Sequence, residues 1–409
     1  RARLWQKRGE LLRARDPKGA IAAFERVVAL TPDQLPAREA LAALYGDDAE
    51  HETAAIENHK QLLAADITRS SSLRALAAIY TRRGLADRAR CCHELLALLG
   101  TATPAERAFL EANPPPELKP DDPYAATLDD KDRERHLAHG EATLMSEIFS
   151  CLWAGAPGLI GQRLEDFGVS ARDKISPMAE LDLGKIYGQV AKALGNKKTG
   201  LYVRAEGAPH EVEIVVQAPP ALVVGPALAG EDAEPAEIRF QIARGIELSR
   251  PEYILAAGVR PKQFTALFAS VLKAFHPRHA KRRATTGDAA AEQAAKLKKN
   301  VPYKVSKQLV ELFQGLGTTS WSSLRWRSVV HQIGNRTGLL LCGDLATATR
   351  IVMRDAGAVS NGELPAPEEI RRIAVTSEPV RELLRFAVSD DYFTLREKLG
   401  TAIAKAAAA

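Results

Sequence analysis

Residues 237–250 read EIRFQIARGIELSR, and their apolar side chains recur at helical spacing. Three isoleucines lie at intervals of four residues, which places them on one face of an α-helix: Ile238, Ile242 and Ile246. Pro235 precedes the stretch, where its missing amide hydrogen breaks no helical bond, and Pro251 follows the stretch and ends it. The pattern therefore predicts a buried helix of about four turns near the middle of the chain.

This helix follows strand-like sequence and resembles the active-site helix of the gluzincin metallopeptidases, in the branch that contains the CaaX prenyl proteases and the heat-shock membrane peptidases. In that family the helix carries the register A-H-E-L-G-H, in which two histidines bind zinc and the glutamate is the general base. The matching register here is ARGIEL, residues 243–248. Arg244 takes the place of the first histidine, Gly245 that of the base and Leu248 that of the second histidine.

Residues 331–348, HQIGNRTGLLLCGDLATA, resemble the helix that supplies the third zinc ligand of that family. The ligand glutamate falls on His331, and the aspartate of the family's A-D-R triplet falls on Asn335. Four further residues still fit the family pattern: Arg336, Gly338, Gly343 and Asp344. The resemblance implies a zincin-like pseudo-peptidase fold with no metal, no cofactor and no catalytic residue. Without the resemblance, both stretches are ordinary core helices.

Arg244 stands at the position of a zinc ligand, and we expect its fixed positive charge to substitute structurally for the ion. A buried guanidinium requires a partner, because an unpaired buried charge is very costly. The expected partner is the carboxylate of Glu247, or that of Asp344 on the opposing helix, in bidentate geometry. The alternative is that the Arg244 side chain extends to solvent without a partner.

An internal repeat occupies residues 1–112, and its period of about 34 residues is typical of tetratricopeptide (TPR) repeats. Small, ring-bearing and larger apolar positions keep this spacing: Ala20, Ala55 and Ala89; Phe24, His59 and His93; Leu11, Tyr45 and Tyr80. We expect a three-repeat α-solenoid with a capping helix at Pro104–Ala112, in which His59 and His93 pack rather than bind a ligand. The alternative is a plain helical bundle with accidental spacing. Because the sequence begins inside the first repeat helix, we expect it to belong to a longer repeat protein.

The expected fold is mainly α with a small β-sheet: a TPR α-solenoid over 1–112, a proline-rich linker over 113–128, and an α+β zincin-like domain over 129–400. Three β-rich runs between residues 201 and 225 predict the sheet. In active relatives, the strand before the active-site helix forms an edge that lies along the substrate peptide. The resemblance therefore implies that Ala221–Val224 is an open edge to which an extended peptide can pair.

A basic segment covers residues 260–307, with twelve Lys or Arg against two Asp or Glu. One interpretation is a solvated surface loop; the other is a contact for nucleic acid or another polyanion. The candidate contacts are Arg278, Lys281, Arg282, Arg283, Lys296, Lys298 and Lys299. Only His276 and Tyr303 offer rings nearby, so the sequence gives little support for stacking on bases.

The composition limits the classes of function that this protein can have. The 409 residues exceed one compact core, and a net charge of +5 is mild for this length. No apolar run is long enough for a membrane span, and the four cysteines lack zinc-site spacing, which favours a cytoplasmic protein with reduced thiols. We expect a non-catalytic scaffold that binds protein partners through the TPR groove; nucleic-acid binding is the alternative, and a hydrolase with rearranged chemistry is the third hypothesis.

Overall fold

The structure is a computed structural model, and it describes residues 1–46, 51–119, 121–138, 142–158, 161–179, 181–196, 198–277, 289–316, 321–359 and 362–404. It is mainly helical with one small sheet, as predicted. Residue contacts divide it into two compact units. The first unit contains Arg1–Glu117, Thr349–Phe393 and the residues after Gly400, and the second contains Leu118–Ala348 and Thr394–Gly400. These units are discontinuous, whereas the boundaries expected from the sequence run in chain order.

The first unit begins with a run of short-looped helices, each packed against the next. They are α1 (Ala2–Leu12), α2 (Pro17–Leu30), α3 (Leu35–Tyr45), α4 (Glu52–Ala65), α5 (Ser70–Arg82), α6 (Ala86–Leu98) and α7 (Pro104–Ala112). Local sequence explains their starts: the Asp16 side chain accepts from the Gly19 amide at the start of α2, and Thr103 and Glu106 form a capping box on α7.

The repeated positions are mostly buried between these helices. The alanines of the repeat are fully buried: Ala20, Ala55 and Ala89. An added Cβ at Gly9 would lie 2.7 Å from the ring of Phe24, so glycine allows this ring to pack against α1. The ring of His59 is buried, with Nδ1 3.2 Å from the Ser72 hydroxyl, and His93 lies 4.8 Å from the ring of Phe109.

One repeated position departs from the expected register. Tyr45 and Tyr80 are buried as predicted, but the side chain of Leu11 is 78% exposed. The register that buries the two tyrosines therefore does not extend to α1.

Helices near the C-terminus also belong to the first unit. They are α18 (Pro367–Thr376) and α19 (Glu378–Ala387). The helix before them, α17 (Leu345–Asp355), and the helix after them, α20 (Asp390–Leu399), each contribute residues to both units. Arg371 donates to the Leu99 carbonyl, and Arg385 donates to the Ala64 carbonyl. The range 129–400, expected to form one domain, is thus shared between the two units.

The second unit surrounds a three-stranded sheet. Its helices are α8 (Asp130–Asp132, continuing as a π-helix over Arg133–Leu137), α9 (Thr143–Gly155), α10 (Asp182–Ala193), α11 (Pro235–Leu248), α12 (Ile254–Gly258), α13 (Pro261–Phe275), α14 (Ala289–Asn300), α15 (Tyr303–Gly315) and α16 (Ser323–Cys342). Its strands are β1 (Gly200–Val203), β2 (Val212–Val215) and β3 (Ala221–Val224).

The sheet order is β1-β3-β2, with β3 parallel to β1 and antiparallel to β2. The prediction that Ala221–Val224 forms an open edge is therefore wrong, because this strand is central and pairs on both sides. Its sequence, ALVV, is apolar at every position and buried on both faces, as is typical of a central strand. The edges of the sheet are β1 and β2.

The two helices singled out in the sequence, α11 and α16, pack along each other and form the most extensive helix pair among the described residues. Two glycines of α16 permit this approach. An added Cβ at Gly334 would lie 2.8 Å from Cγ of Leu248, and one at Gly338 would lie 2.8 Å from the ring of Phe240. Helix α16 ends at Gly343, which has φ +67°, so residues 331–348 do not form one helix as expected.

In the proline-rich stretch predicted to be a linker, 113–128, the described residues form no helix, but the second half is packed. The Tyr124 hydroxyl donates to the Leu341 carbonyl at 2.7 Å, and the Leu128 amide donates to the Ala193 carbonyl at 2.8 Å. Tyr124 and Leu128 are both buried. This half of the stretch is therefore part of the second unit rather than a free connection.

We predict that Gly338→Ala destabilises the protein. The new methyl group would meet three ring atoms of Phe240, which is fully buried, at 3.0 Å or less. Overpacking costs about 1–3 kcal/mol and alanine regains up to about 1 kcal/mol of helix propensity, so we expect a net loss of about 1–2 kcal/mol in urea denaturation. The control is Gly315→Ala, whose Cβ meets only methyl groups at 3.7 Å. Equal stability of the two variants would contradict the close approach of α11 and α16.

We also predict that His59 contributes to the pH dependence of stability. Burial lowers the pKa of His59 below its ordinary value, so its contribution is fully present above about pH 6.5 and is lost as the pH falls through the lowered pKa. His59→Phe keeps a ring but removes the titrating group. Urea denaturation at about pH 7.5 and about pH 5 should therefore show a smaller loss of stability in the variant than in the parent protein. An equal loss in both would contradict this role.

Candidate functional site

A cleft of about 280 Å³ lies beside α11, between that helix and the edge strand β2. Residues 211–214 form one wall and residues 257–261 form another. The rest of the lining comes from the helices and from one aromatic side chain: Gln241, Arg244, Gly245, Leu248, His331 and Phe167. The structure thus brings four of the five positions predicted from the sequence to one cleft. The fifth position, Asn335, accepts a hydrogen bond from Arg244, which lines the cleft.

The contacts of Arg244 differ from those expected. Its Nη1 donates to Oδ1 of Asn335 at 3.4 Å, and its guanidinium carbon lies 5.6 Å from the ring centroid of Phe240. The two carboxylates proposed as its partners bond elsewhere. Glu247 accepts from Arg133 at 3.0 Å, and Asp344 accepts from the Thr347 amide at 2.7 Å at the start of α17. The interaction between Arg244 and Asn335 joins α11 to α16.

Gly245 was expected, from the resemblance alone, to take the place of a general base, and the sheet fills the space that a side chain would need there. An added Cβ would lie 2.9 Å from Cδ1 of Leu222 and 3.3 Å from Cγ1 of Val212. Both residues belong to strands that pack against α11. A glutamate at this position would have to displace Leu222, which is fully buried. Position 245 is therefore used for packing between the helix and the sheet.

Gln241 presents a buried acceptor beside the cleft. Its side chain is 1% exposed, and Nε2 donates to the His210 carbonyl at 3.2 Å. Within the described part of the chain, the Oε1 atom of Gln241 is buried and accepts no hydrogen bond. Such an atom costs free energy until a donor reaches it. Gln241 is one of the residues that line the cleft, so this acceptor lies in the wall of the cleft.

Glu247 belongs to a buried ion pair that the sequence did not indicate. Arg133 is 5% exposed and donates from Nε to Glu247, from Nη1 to the Leu128 carbonyl at 2.7 Å, and from Nη2 to the Leu194 carbonyl at 2.7 Å. The charged run at 129–136 thus contains a buried arginine, although a run of charges in a sequence is more often solvated. The signal in the sequence that pointed to this ion pair was Glu247, an acidic residue at a position within the apolar helical pattern of residues 237–250.

The cysteines offer little nucleophilic character. Burial raises the pKa of Cys92 and of Cys342 to about 12, which leaves both as neutral thiols near neutral pH. All four cysteines are thiols rather than members of a disulfide. In the part of the chain that the structure describes, no three His, Cys, Asp or Glu side chains come together as a metal ligand set would.

The basic residues proposed as polyanion contacts lie partly inside and partly outside the residues that the structure describes. Four of them lie outside the described residues: Arg278, Lys281, Arg282 and Arg283. The other three, Lys296, Lys298 and Lys299, are exposed on α14. Lys298 and Lys299 line a second cavity, separate from the cleft beside α11.

Comparisons with protein-family models, with curated proteins and with solved structures found no match to this chain. Among the helices of the described residues, none combines the length and the apolar character needed to cross a bilayer.

We predict that a zinc site can be rebuilt in the cleft. Arg244→His combined with Leu248→His would place two imidazoles one turn apart on α11, where His331 also lines the cleft. Three histidines with one open position form a common zinc coordination set. Metal analysis after desalting should find one zinc per chain in the double variant and none in the parent. Adding His331→Ala should remove the metal; failure of the double variant to hold zinc would show that these three positions do not converge.

Proposed function

We propose that this chain is a non-catalytic protein-interaction scaffold. In this proposal a TPR-like array joins a degenerate zincin-like domain, and the cleft beside α11 binds an extended segment of a partner protein without cleaving it. The resemblance of residues 237–250 and 331–348 to the metallopeptidase helices supports this assignment of fold, and the contacts of α11 support the lack of catalysis. The helices of the first unit would supply a second docking surface for a partner helix or tail.

One observation carries the proposal: the positions that would do the chemistry are used for packing and for contacts within the protein. Leu222 fills the space beside Gly245, and Arg244 bonds to Asn335 across the helix pair. Enzyme folds often persist without their catalytic groups, and the remaining cleft can keep a binding role.

The partner segment that fits this cleft best is an extended peptide. Strand β2 pairs with β3 on one side only, and residues 211–214 of the edge line the cleft. A peptide that lies along this edge would present backbone N–H groups, and one of these would bond to Oε1 of Gln241 once the side-chain amide turns toward the cleft. Peptide addition to a sheet edge is a common recognition mode, in which main-chain hydrogen bonds supply the affinity.

We predict that Gln241→Leu weakens peptide binding. A displayed library of unstructured peptides would be screened against the full chain, and the selected peptides measured by isothermal titration calorimetry. Removing the buried acceptor should lower affinity by about tenfold, corresponding to one hydrogen bond, whereas Gln308→Leu on α15, outside the cleft, should have no effect.

Two readouts separate this proposal from a peptidase. The bound peptide should be recovered intact by mass spectrometry, and its affinity should not change when a chelator is added. Cleavage of the peptide, or binding that the chelator abolishes, would overturn the non-catalytic assignment. The absence of any selected peptide sensitive to Gln241→Leu would overturn the assignment of the cleft.

A further inference from the structure

A second cavity in the second unit, about 570 Å³ in volume, lies at the turn between α14 and α15. The end of α13 forms its apolar floor through Ala274 and Phe275, and Lys298, Lys299 and Tyr303 contribute its charged and aromatic lining. We call it the Tyr303 cavity. It shares no lining residue with the cleft beside α11.

Tyr303 differs from every other tyrosine of this protein. The chain has eight tyrosines; the side chain of Tyr303 is 85% exposed, and the remaining seven are buried. It is the first residue of α15, immediately after Pro302. The position of Tyr303 is therefore set by the helix start, and its ring presents a face that no other part of the described chain covers.

The charges around this ring are of one sign. The residues that line the cavity include no Asp or Glu. Lys298, Lys299 and Lys304 are exposed, and within the described residues none of them has an ion pair or a hydrogen bond. Lys307, one turn further along α15, lies 4.0 Å from Glu311. The cavity therefore favours an anionic ligand.

We propose that the Tyr303 cavity binds single-stranded nucleic acid, with one unpaired base stacked on Tyr303 and the flanking phosphates on Lys298 and Lys299. Proteins that bind single strands combine a basic surface with exposed rings, because every base offers a π-face and every nucleotide a phosphate. The volume of the cavity is sufficient for a base and its sugar. A duplex hides its base faces, and an acidic peptide makes no use of the exposed ring. The proposal is independent of the peptide cleft.

The ring is tested by anisotropy of labelled oligouridylate and oligothymidylate titrated with the full chain at low salt. Tyr303→Ala should weaken binding by about five- to a hundredfold, which is the usual loss for one stacked base, and Tyr303→Phe should retain most of the affinity. Met178→Ala, which truncates a side chain that is 90% exposed outside the cavity, is the matched control and should have no effect.

The lysines are tested by the dependence of binding on salt. Each phosphate contact on a single strand contributes about 0.7 to the slope of log affinity against log salt, so Lys298→Gln with Lys299→Gln should reduce the slope by about 1.4. The double variant Lys174→Gln with Lys185→Gln removes two exposed charges outside the cavity. Its slope should stay closer to that of the parent protein than the slope of the Lys298 and Lys299 variant does.

Three outcomes would overturn the proposal. The first is an absence of binding to either single strand at low salt. The second is equal binding to a duplex of the same length that Tyr303→Ala does not alter. The third is binding to phosphatidylserine vesicles or to polyglutamate that matches the single strands and is insensitive to Tyr303→Ala, which would identify a lipid surface or an acidic protein as the partner.

Discussion

The close contact between α11 and α16 is the constraint on which the second unit depends. Gly334 and Gly338 lie one helical turn apart on α16, and the side chains of Leu248 and Phe240 occupy the space that these glycines leave. Because interiors are packed at nearly crystalline density, the two helices cannot separate without opening a void, nor accept larger residues at these positions without strain. The contact holds one side of α11, and another side meets the sheet through Gly245 and Leu222.

The cleft lies beside α11, next to the faces of this helix that meet the sheet and α16. Arg244 shows how the helix pair accommodates a charged side chain at this point. Its guanidinium lies over Phe240 and donates to Asn335, so that its charge is held by a ring quadrupole and an amide oxygen. The buried carboxylate of the same helix, Glu247, is matched instead by Arg133, whose other donors reach backbone carbonyls. Three nitrogen atoms of Arg133 thus find acceptors inside the protein, as a buried arginine requires.

Much of the site was predictable because it depends on local pattern. The spacing of isoleucines indicated α11, and the order of residues in 237–250 and 331–348 indicated which side chains would come together. The role of β3 was not predicted correctly, although its ALVV sequence carried the signal of a central strand. The buried Arg133 was missed because a run of charges looks the same whether one of its members is solvated or paired inside the protein. The repeat spacing indicated the buried alanines of the first unit, but its register did not extend to Leu11.

The sequence by itself determined where helices and strands form, which face of each is apolar, and where glycine is needed for close packing. The tertiary structure decided which partners meet those faces: Asn335 for Arg244, Arg133 for Glu247, and β1 and β2 on the two sides of β3. It also decided that Tyr303 remains exposed beside lysines while every other tyrosine is buried. The physical reason is that periodicity is a property of neighbouring residues, whereas pairs such as Arg133 and Glu247, 114 positions apart, are selected only when the whole chain satisfies its buried charges at once.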